Sequence, residues 1–248
     1  MTNKTILVTG AAGGIGTACV QLILKNDKRS NVVAMDRSSD LLAKLGGDPA
    51  RLLTHAGDVA APGDGEKAVK VAIDRFGRLD GLLHLAAIKS TSRWDELTAE
   101  EFNRSLEVNV TGSFLMAQAA ARQMVQEGSG SIVLTSSATV AFGPIGGEGQ
   151  AGPSYAASKG AVVALMRSLA RALGPRGVRV NTLAPGITET PLIEGYTKQQ
   201  RERSLARFPL GRFGRPEEIA EAALFLLSDR STFITGQELH VNGGSVFS

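Results

Sequence analysis

What this chain is short of narrows its function before any motif is read. It has one cysteine, Cys19, in 248 residues, which excludes a disulfide framework and a thiolate-rich metal site and fits a reducing compartment. Its three histidines, His55, His84 and His240, lie far apart with no helical pair among them, so no metal centre is expected. Net charge is small, +3 from 27 basic and 24 acidic residues, and the surplus is spread along the chain. Neither nucleic acid nor an anionic membrane is therefore an expected partner. No apolar run approaches the ~18 residues needed to cross a bilayer. The polar stretch Met1 to Thr5 runs straight into a strand pattern, with no room for a signal peptide. A soluble, cytoplasmic protein is the expectation. Aromatic residues are scarce at 5%, whereas glycine is abundant at 29 residues. In a composition that is otherwise that of a folded globular chain, so many glycines point to repeated sharp strand-to-helix turns.

The apolar pattern supports this. Short runs at Ile6–Val8, Val32–Met35, Leu52–Thr54 (continuing to Asp58), Leu82–Leu85, Ser131–Thr135, Val178–Leu183 and Glu238–Val241 read as strands buried on both faces. Helix-period segments fall between them at Ile15–Lys25, Gly65–Phe76, Ala99–Glu127, Tyr155–Leu173 and Pro216–Leu227. Alternation of this kind predicts an α/β fold: a three-layer, Rossmann-type doubly wound parallel sheet of about seven strands, with helices on both faces. No linker, repeat or low-complexity block divides residues 1–248, so a single domain is expected. The polar, mixed-charge segment 192–210 follows a strand end and is expected to act as a substrate lid.

Three motifs carry chemistry. Thr9-Gly10-Ala11-Ala12-Gly13-Gly14-Ile15-Gly16 lies between the first strand and the first helix. Glycines there let the backbone turn tightly and approach a pyrophosphate resting on the helix N-terminus. Asp36 closes the second strand twenty residues after Gly16, where a carboxylate accepts hydrogen bonds from an adenosine ribose and repels a 2′-phosphate. That favours NAD over NADP. Arg37 argues the other way, since a guanidinium pairs with such a phosphate, but no Lys or Arg lies inside the glycine turn. Asp58-Val59, at the third strand end, is a candidate for holding adenine, with helix capping by Asp58 as the alternative. Finally, Tyr155 and Lys159 stand four apart on one helix face. A phenol needs ~4 kcal/mol of preferential anion stabilisation to act as a base near neutral pH, and a neighbouring ammonium contributes to it.

With these motifs in the right order, the chain resembles the short-chain dehydrogenase/reductases of about 250 residues with one Rossmann-type domain. The resemblance runs from Ile6 to Gly243-Gly244. Thr9, Gly10, Gly14 and Gly16 match the family's glycine pattern, and Tyr155 and Lys159 its Tyr-x-x-x-Lys. Asn109 falls at the active-site asparagine and Ser137 at the catalytic serine. Pro185, Gly186, Ile187, Thr188 and Thr190 fall in the segment that touches the nicotinamide, and Ala86 is the small residue facing the cofactor. The resemblance implies a Ser137–Tyr155–Lys159–Asn109 site. It implies cofactor contacts at Gly10, Gly14, Ile15, Gly16, Asp36, Arg37, Asp58, Val59, Ala86, Tyr155, Lys159 and 185–190, and a homotetramer. Small residues Ala157, Ala161, Ala164, Ala170 and Ala172 are expected on an interface face of the Tyr155 helix. Two features depart from the family. His84-Leu85-Ala86-Ala87 stands where the family has Asn-Asn-Ala-Gly, and His84 is expected to take over one asparagine's structural role. The loop between Ser137 and Tyr155 is long, and its glycines are expected to make it flexible.

The expected activity is NAD-dependent interconversion of a hydrophobic secondary alcohol and its ketone. Trp94, Phe142, Pro144, Ile145, Leu192, Ile193, Tyr196 and Phe208 are the candidate substrate walls, and Lys89, Arg93 and Arg207 the cations placed to meet an acidic group. The alternatives are an NADP-dependent 3-oxoacyl-thioester reductase, an epimerase or dehydratase on the same fold, and a catalytically silent cofactor sensor.

Overall fold

The first strand, β1 (Thr5–Thr9), shows why the sheet forms where it does: all five of its residues are buried, and four are β-branched. Leu7 points into one apolar layer, while Ile6 and Val8 point into the other. The computed structural model describes residues 3–247, and the same alternation runs through β2 (Asn31–Asp36), β4 (Gly81–His84), β5 (Gly130–Thr135) and β6 (Val178–Pro185). With β3 (Leu52–Ala56) and β7 (Glu238–Val241), they make one parallel sheet of seven strands in the order β3-β2-β1-β4-β5-β6-β7.

Helices α1 (Gly14–Asn26), α2 (Ser39–Leu42) and α9 (Pro216–Leu227) pack on one face; α3 (Asp64–Phe76), α5 (Gly112–Glu127) and α7 (Pro153–Leu173) cover the other. Burying each large aliphatic side chain between these layers is worth about 1.5–3 kcal/mol. The core is thus two slabs, one on each face. The fold expected from the sequence is the fold observed.

Several details differ from the sequence reading. The helical segment expected over 99–127 is α4 (Ala99–Leu106) and α5 joined by a π-helical turn, Glu107–Thr111. The third strand stops at Ala56, two residues before Asp58, and the sixth runs on to Pro185. Short helices α6 (Thr139–Phe142) and α8 (Lys198–Leu205) lie in segments with too few turns to show a period. Segment 192–210 contains α8 and folds over a small cluster of Ile193, Phe208 and Phe213. Among the described residues, no helix is long and apolar enough to cross a membrane.

Sheet order reverses between β1 and β4, whose Thr9 and His84 sit in register. In open parallel sheets, that reversal leaves a crevice beyond the carboxyl ends of the strands.

Candidate active site

The chain enters the crevice through the glycine turn. Gly10 adopts φ +64°, and a Cβ there would lie 2.8 Å from the Ala86 nitrogen. A Cβ on Gly16 would lie 2.1 Å from the Gly10 oxygen, so α1 docks on the turn only because that side is bare. A Cβ on Gly14 would meet the Thr190 side chain at 2.7 Å. The N-cap of α1 is Gly13, with no side-chain cap and no acidic residue in the first turn. Its leading N–H groups are thereby left for an anion, in a bay walled by backbone.

Asp36, at the end of β2, is held by two backbone donors, Ala12 N–H at 3.1 Å and Ser38 N–H at 3.3 Å. Arg37 turns away from it and reaches the Asp58 carboxylate at 3.8 Å, which Arg104 also approaches at 4.0 Å. Asp58 does not cap a helix: α3 is capped by Gly63, and the Asp58 carboxylate accepts instead from the Ala60 N–H at 2.9 Å. Val59 is buried in the apolar layer over α5, where a Cβ on Gly112 would touch it at 3.0 Å. These residues fit an adenosine dinucleotide: uncapped N–H groups for the pyrophosphate, and a fixed carboxylate for the ribose.

Ser137 follows β5, and Tyr155 and Lys159 lie one turn apart on α7. Ser137 and Tyr155 border the same cavity, and the Ser137 hydroxyl oxygen accepts from the Thr139 N–H at 3.3 Å. The Lys159 ammonium donates to the Thr135 carbonyl at 2.8 Å and sits 5.7 Å from the Tyr155 ring centroid. Burial pushes the Tyr155 phenol up from its usual value, and the neighbouring Ser137 hydroxyl opposes that push. Burial also pulls Lys159 down to about 8. Asn109 comes in on the π-helical turn, a local widening that re-aims a helical residue. Its Nδ2 donates to the Ile88 carbonyl and to Ser158 Oγ, and its Oδ1 accepts from the Ile88 N–H.

His84 is 1% exposed and bonds Thr9 Oγ1 through Nδ1 at 2.8 Å, while the Thr9 hydroxyl also takes the Ala86 N–H at 3.4 Å. It therefore ties β1 to β4 as a structural residue. Its Nε2 is buried without a partner, and burial together with the Lys159 charge pulls its pKa down to about 3.

The segment after β6 closes the crevice. Ala138 N–H donates to the Pro185 carbonyl, and Gly186 N–H to Val241; a Cβ on Gly186 would sit 2.8 Å from Asn242 Cα. Thr188 Oγ1 and Thr190 Oγ1 turn back onto Gly186 and Thr188 carbonyls. Ile15, Ser137, Tyr155, Lys159 and residues Pro185, Gly186, Ile187, Thr188 and Thr190 all border one cavity of about 280 Å³.

Of the expected apolar walls, Phe142, Pro144, Leu192, Ile193, Tyr196 and Phe208 line this cavity. Trp94 and Ile145 do not: they are 73% and 67% exposed, and Arg93 pairs with Asp95 instead. Leu85, Ile88 and Gln150 line it without having been expected; the strand-end position of Leu85 and Ile88 was the available signal. The glycine-rich loop is not loosely hung. Gly147 and Gly152 N–H groups donate to Thr91 and Ser90 carbonyls at 2.7 and 2.9 Å, and Cβ atoms on Gly146 and Gly152 would each lie 2.4 Å from the Ser92 oxygen. The glycines let this loop lie flat on 90–92. That support is fixed in turn by Glu101, which accepts from both Ser90 and Ser92 hydroxyls, a residue that carried no sequence signal.

A family model described as enoyl-(acyl carrier protein) reductase matches residues 10–246. The 3-oxoacyl-(acyl-carrier-protein) reductase FabG of Thermotoga maritima is 36% identical, covering 98% of both chains. A 3alpha-hydroxysteroid dehydrogenase of Mediterraneibacter gnavus is 35% identical over 98% of this chain and 97% of its own. The crystal structure of a 3-ketoacyl-(acyl-carrier-protein) reductase from Brucella melitensis, complexed with NADH, superposes with a TM-score of 0.89 at 30% identity, covering 99% of each chain. With its seven-stranded parallel sheet and a glycine turn, serine, tyrosine and lysine bordering one crevice, the chain belongs to the short-chain dehydrogenase/reductase family, whose members bind a nicotinamide dinucleotide.

Proposed function

We propose that this protein is an NAD(H)-dependent oxidoreductase that interconverts a hydrophobic secondary alcohol and its ketone. The reading rests on one observation: Ser137, Tyr155 and Lys159 border one cavity, with the Lys159 ammonium 5.7 Å from the centroid of the Tyr155 ring. Tyr155 takes the alcohol proton in oxidation and returns it in reduction. Lys159 stabilises the phenolate electrostatically and holds the nicotinamide ribose. Ser137 donates to the substrate oxygen, a role typically worth about 3 kcal/mol. Asn109 braces α7 at Ser158, the residue before Lys159, through its bonds to Ile88 and Ser158. Bound NAD supplies the hydride acceptor and a second positive charge near the phenolate.

NAD is preferred to NADP because Asp36 is fixed by two backbone donors at the ribose position while Arg37 is drawn toward Asp58. The Gly10, Gly14, Ile15 and Gly16 backbone would take the pyrophosphate, Ala86 would face the cofactor, and 185–190 would take the carboxamide. Segment 192–210 acts as a lid on the cavity. The assembly is a homotetramer packed through the exposed small face of α7. Ala157 and Ala164 lie on that face, whereas Ala170 is buried in this chain's own core and is excluded from it.

A second reading, a 3-oxoacyl-thioester reductase using NADP, is favoured by the names of similar proteins. Steady-state assays separate the two. Turnover of neutral secondary alcohols with NAD supports the first, and turnover of an acyl thioester with NADPH alone supports the second. Tyr155→Phe tests the site itself. It lowers kcat by about 10²–10⁴-fold while NADH binding, followed by fluorescence titration, stays within about twofold. Full activity in that variant removes Tyr155 from the chemistry.

A further inference from the structure

The charges around the cavity are arranged unevenly. Three cations line it, Lys89, Lys159 and Arg207, and no aspartate or glutamate does. Lys159 is engaged with the Thr135 carbonyl beside Tyr155. The other two have no carboxylate partner among the described residues, although their neighbours do. Arg201 binds Glu189 at 2.9 Å, and Arg203 reaches Glu148 at 3.4 Å. Arg207, on the same segment, instead lies over the Phe142 ring at 5.4 Å. In the segment after β4 Arg93 pairs with Asp95, whereas Lys89 gives one hydrogen bond to the Gly149 carbonyl, at 3.0 Å, and lies 5.6 Å over the Tyr196 ring. Beside the cavity, Arg93, Arg201 and Arg203 are thus paired with carboxylates, whereas Lys89 and Arg207 in its lining are not.

Lys89 is half-buried, and burial alone draws its pKa below the usual lysine value. A partly desolvated ammonium with one neutral acceptor carries an electrostatic cost that an incoming anion removes. Arg207 adds a planar fork suited to a carboxylate. The same lining that holds these cations and Tyr155 includes the hydrocarbon side chains of Leu85, Ile88, Leu192 and Phe208.

We propose that Lys89 and Arg207 form an anion subsite, and that the substrate is a hydroxy or keto acid: an aliphatic body with the reacting carbon at one end and a carboxylate at the other. This rests on the oxidoreductase reading above and adds the chemical class of its substrate. A single negative charge suits the two side-chain cations, Lys89 and Arg207, that the lining holds without a carboxylate partner among the described residues.

The test compares hydroxydecanoates, carrying the hydroxyl at successive positions, with their methyl esters, using NAD and NADP. One position is turned over with kcat/KM for the acid about tenfold or more above that for its ester, as a charge-assisted bond implies. The ratio falls toward one in Lys89→Met and in Arg207→Gln. It persists in Lys89→Arg, which restores the charge, and in Arg203→Gln, which removes a cation outside the lining. In calorimetry, decanoate binds the protein saturated with NADH, and more weakly in both neutralised variants. Equal turnover of acids and esters across the panel, or a ratio unchanged in both neutralised variants, overturns the subsite and leaves the oxidoreductase reading intact. A hydroxydecyl phosphate preferred over the acid by the same factor overturns the carboxylate assignment. If no alcohol is turned over with either nucleotide, the oxidoreductase reading fails, and decanoate calorimetry alone decides the subsite: absence of binding, or binding equal in Lys89→Met and Arg207→Gln, overturns it.

Discussion

The two halves of the crevice are built from different materials. On the β1–β2 side, recognition is done by backbone: uncapped N–H groups of α1, a turn that admits no Cβ at Gly10 or Gly16, and a carboxylate fixed by Ala12 and Ser38 amides. On the far side it is done by side chains on loops: Phe142, Leu192, Tyr196, Phe208, Lys89 and Arg207. A backbone site tolerates few sequences, because the missing atoms of glycine are the site. A side-chain site can be rewritten while the loops keep their course, which is how one fold serves many substrates.

The comparison can be broken, and Gly16→Ala is the heaviest blow to the backbone half. The new methyl has no flexible neighbour to displace at 2.1 Å, so the helix start must shift. The loss is about 1–3 kcal/mol or more, read as a fall in melting temperature of about 5 °C, together with loss of NADH binding. Asp36→Ala is next. NADH affinity falls about tenfold as a charged hydrogen-bond acceptor goes, NADPH affinity does not fall, and fluorescence titration reads both.

His84 sharpens the comparison through pH. Its folded-state pKa is about 3, below the usual value of about 6.5. Between those limits the unfolded chain binds a proton that the folded one refuses. Stability is therefore complete above about 6.5 and lost as pH falls through the window. Urea unfolding at a series of pH values should show this slope, and His84→Asn should flatten it. Trp94→Ala is the smallest effect: Trp94 is 73% exposed and outside the cavity, so kcat/KM should stay within about twofold and melting within about a degree.

Legibility in the sequence followed the same division. β1 and β4 could be read because a strand buried on both faces must be a continuous apolar run, and Asp36 because it ends one. The π-helical turn could not, since Glu107–Thr111 has helical composition and only its hydrogen-bond pattern departs. Ala170 looked like its small neighbours, yet its position on α7 turns it inward. The loop glycines were read as freedom and proved to be clearance, because the segment they lie on, 90–92, announces itself by no pattern. Trp94 was assigned to a wall on chemical type, and the course of that same segment leaves it outside.

The π-helical turn has a consequence for insertions and deletions. One residue advances a regular helix by about 100°, and the wide turn at Glu107–Thr111 takes up one such residue, so a deletion in the regular turns of α4 or α5 on either side would rotate one helix against the other by that angle. Glu101, which anchors Ser90 and Ser92, rides on α4, while Asn109 sits in the turn itself. A single-codon deletion in α4 between Glu101 and the turn would therefore rotate the anchor of the glycine loop's bed away from Asn109, making α4 intolerant to length change even where it tolerates substitution.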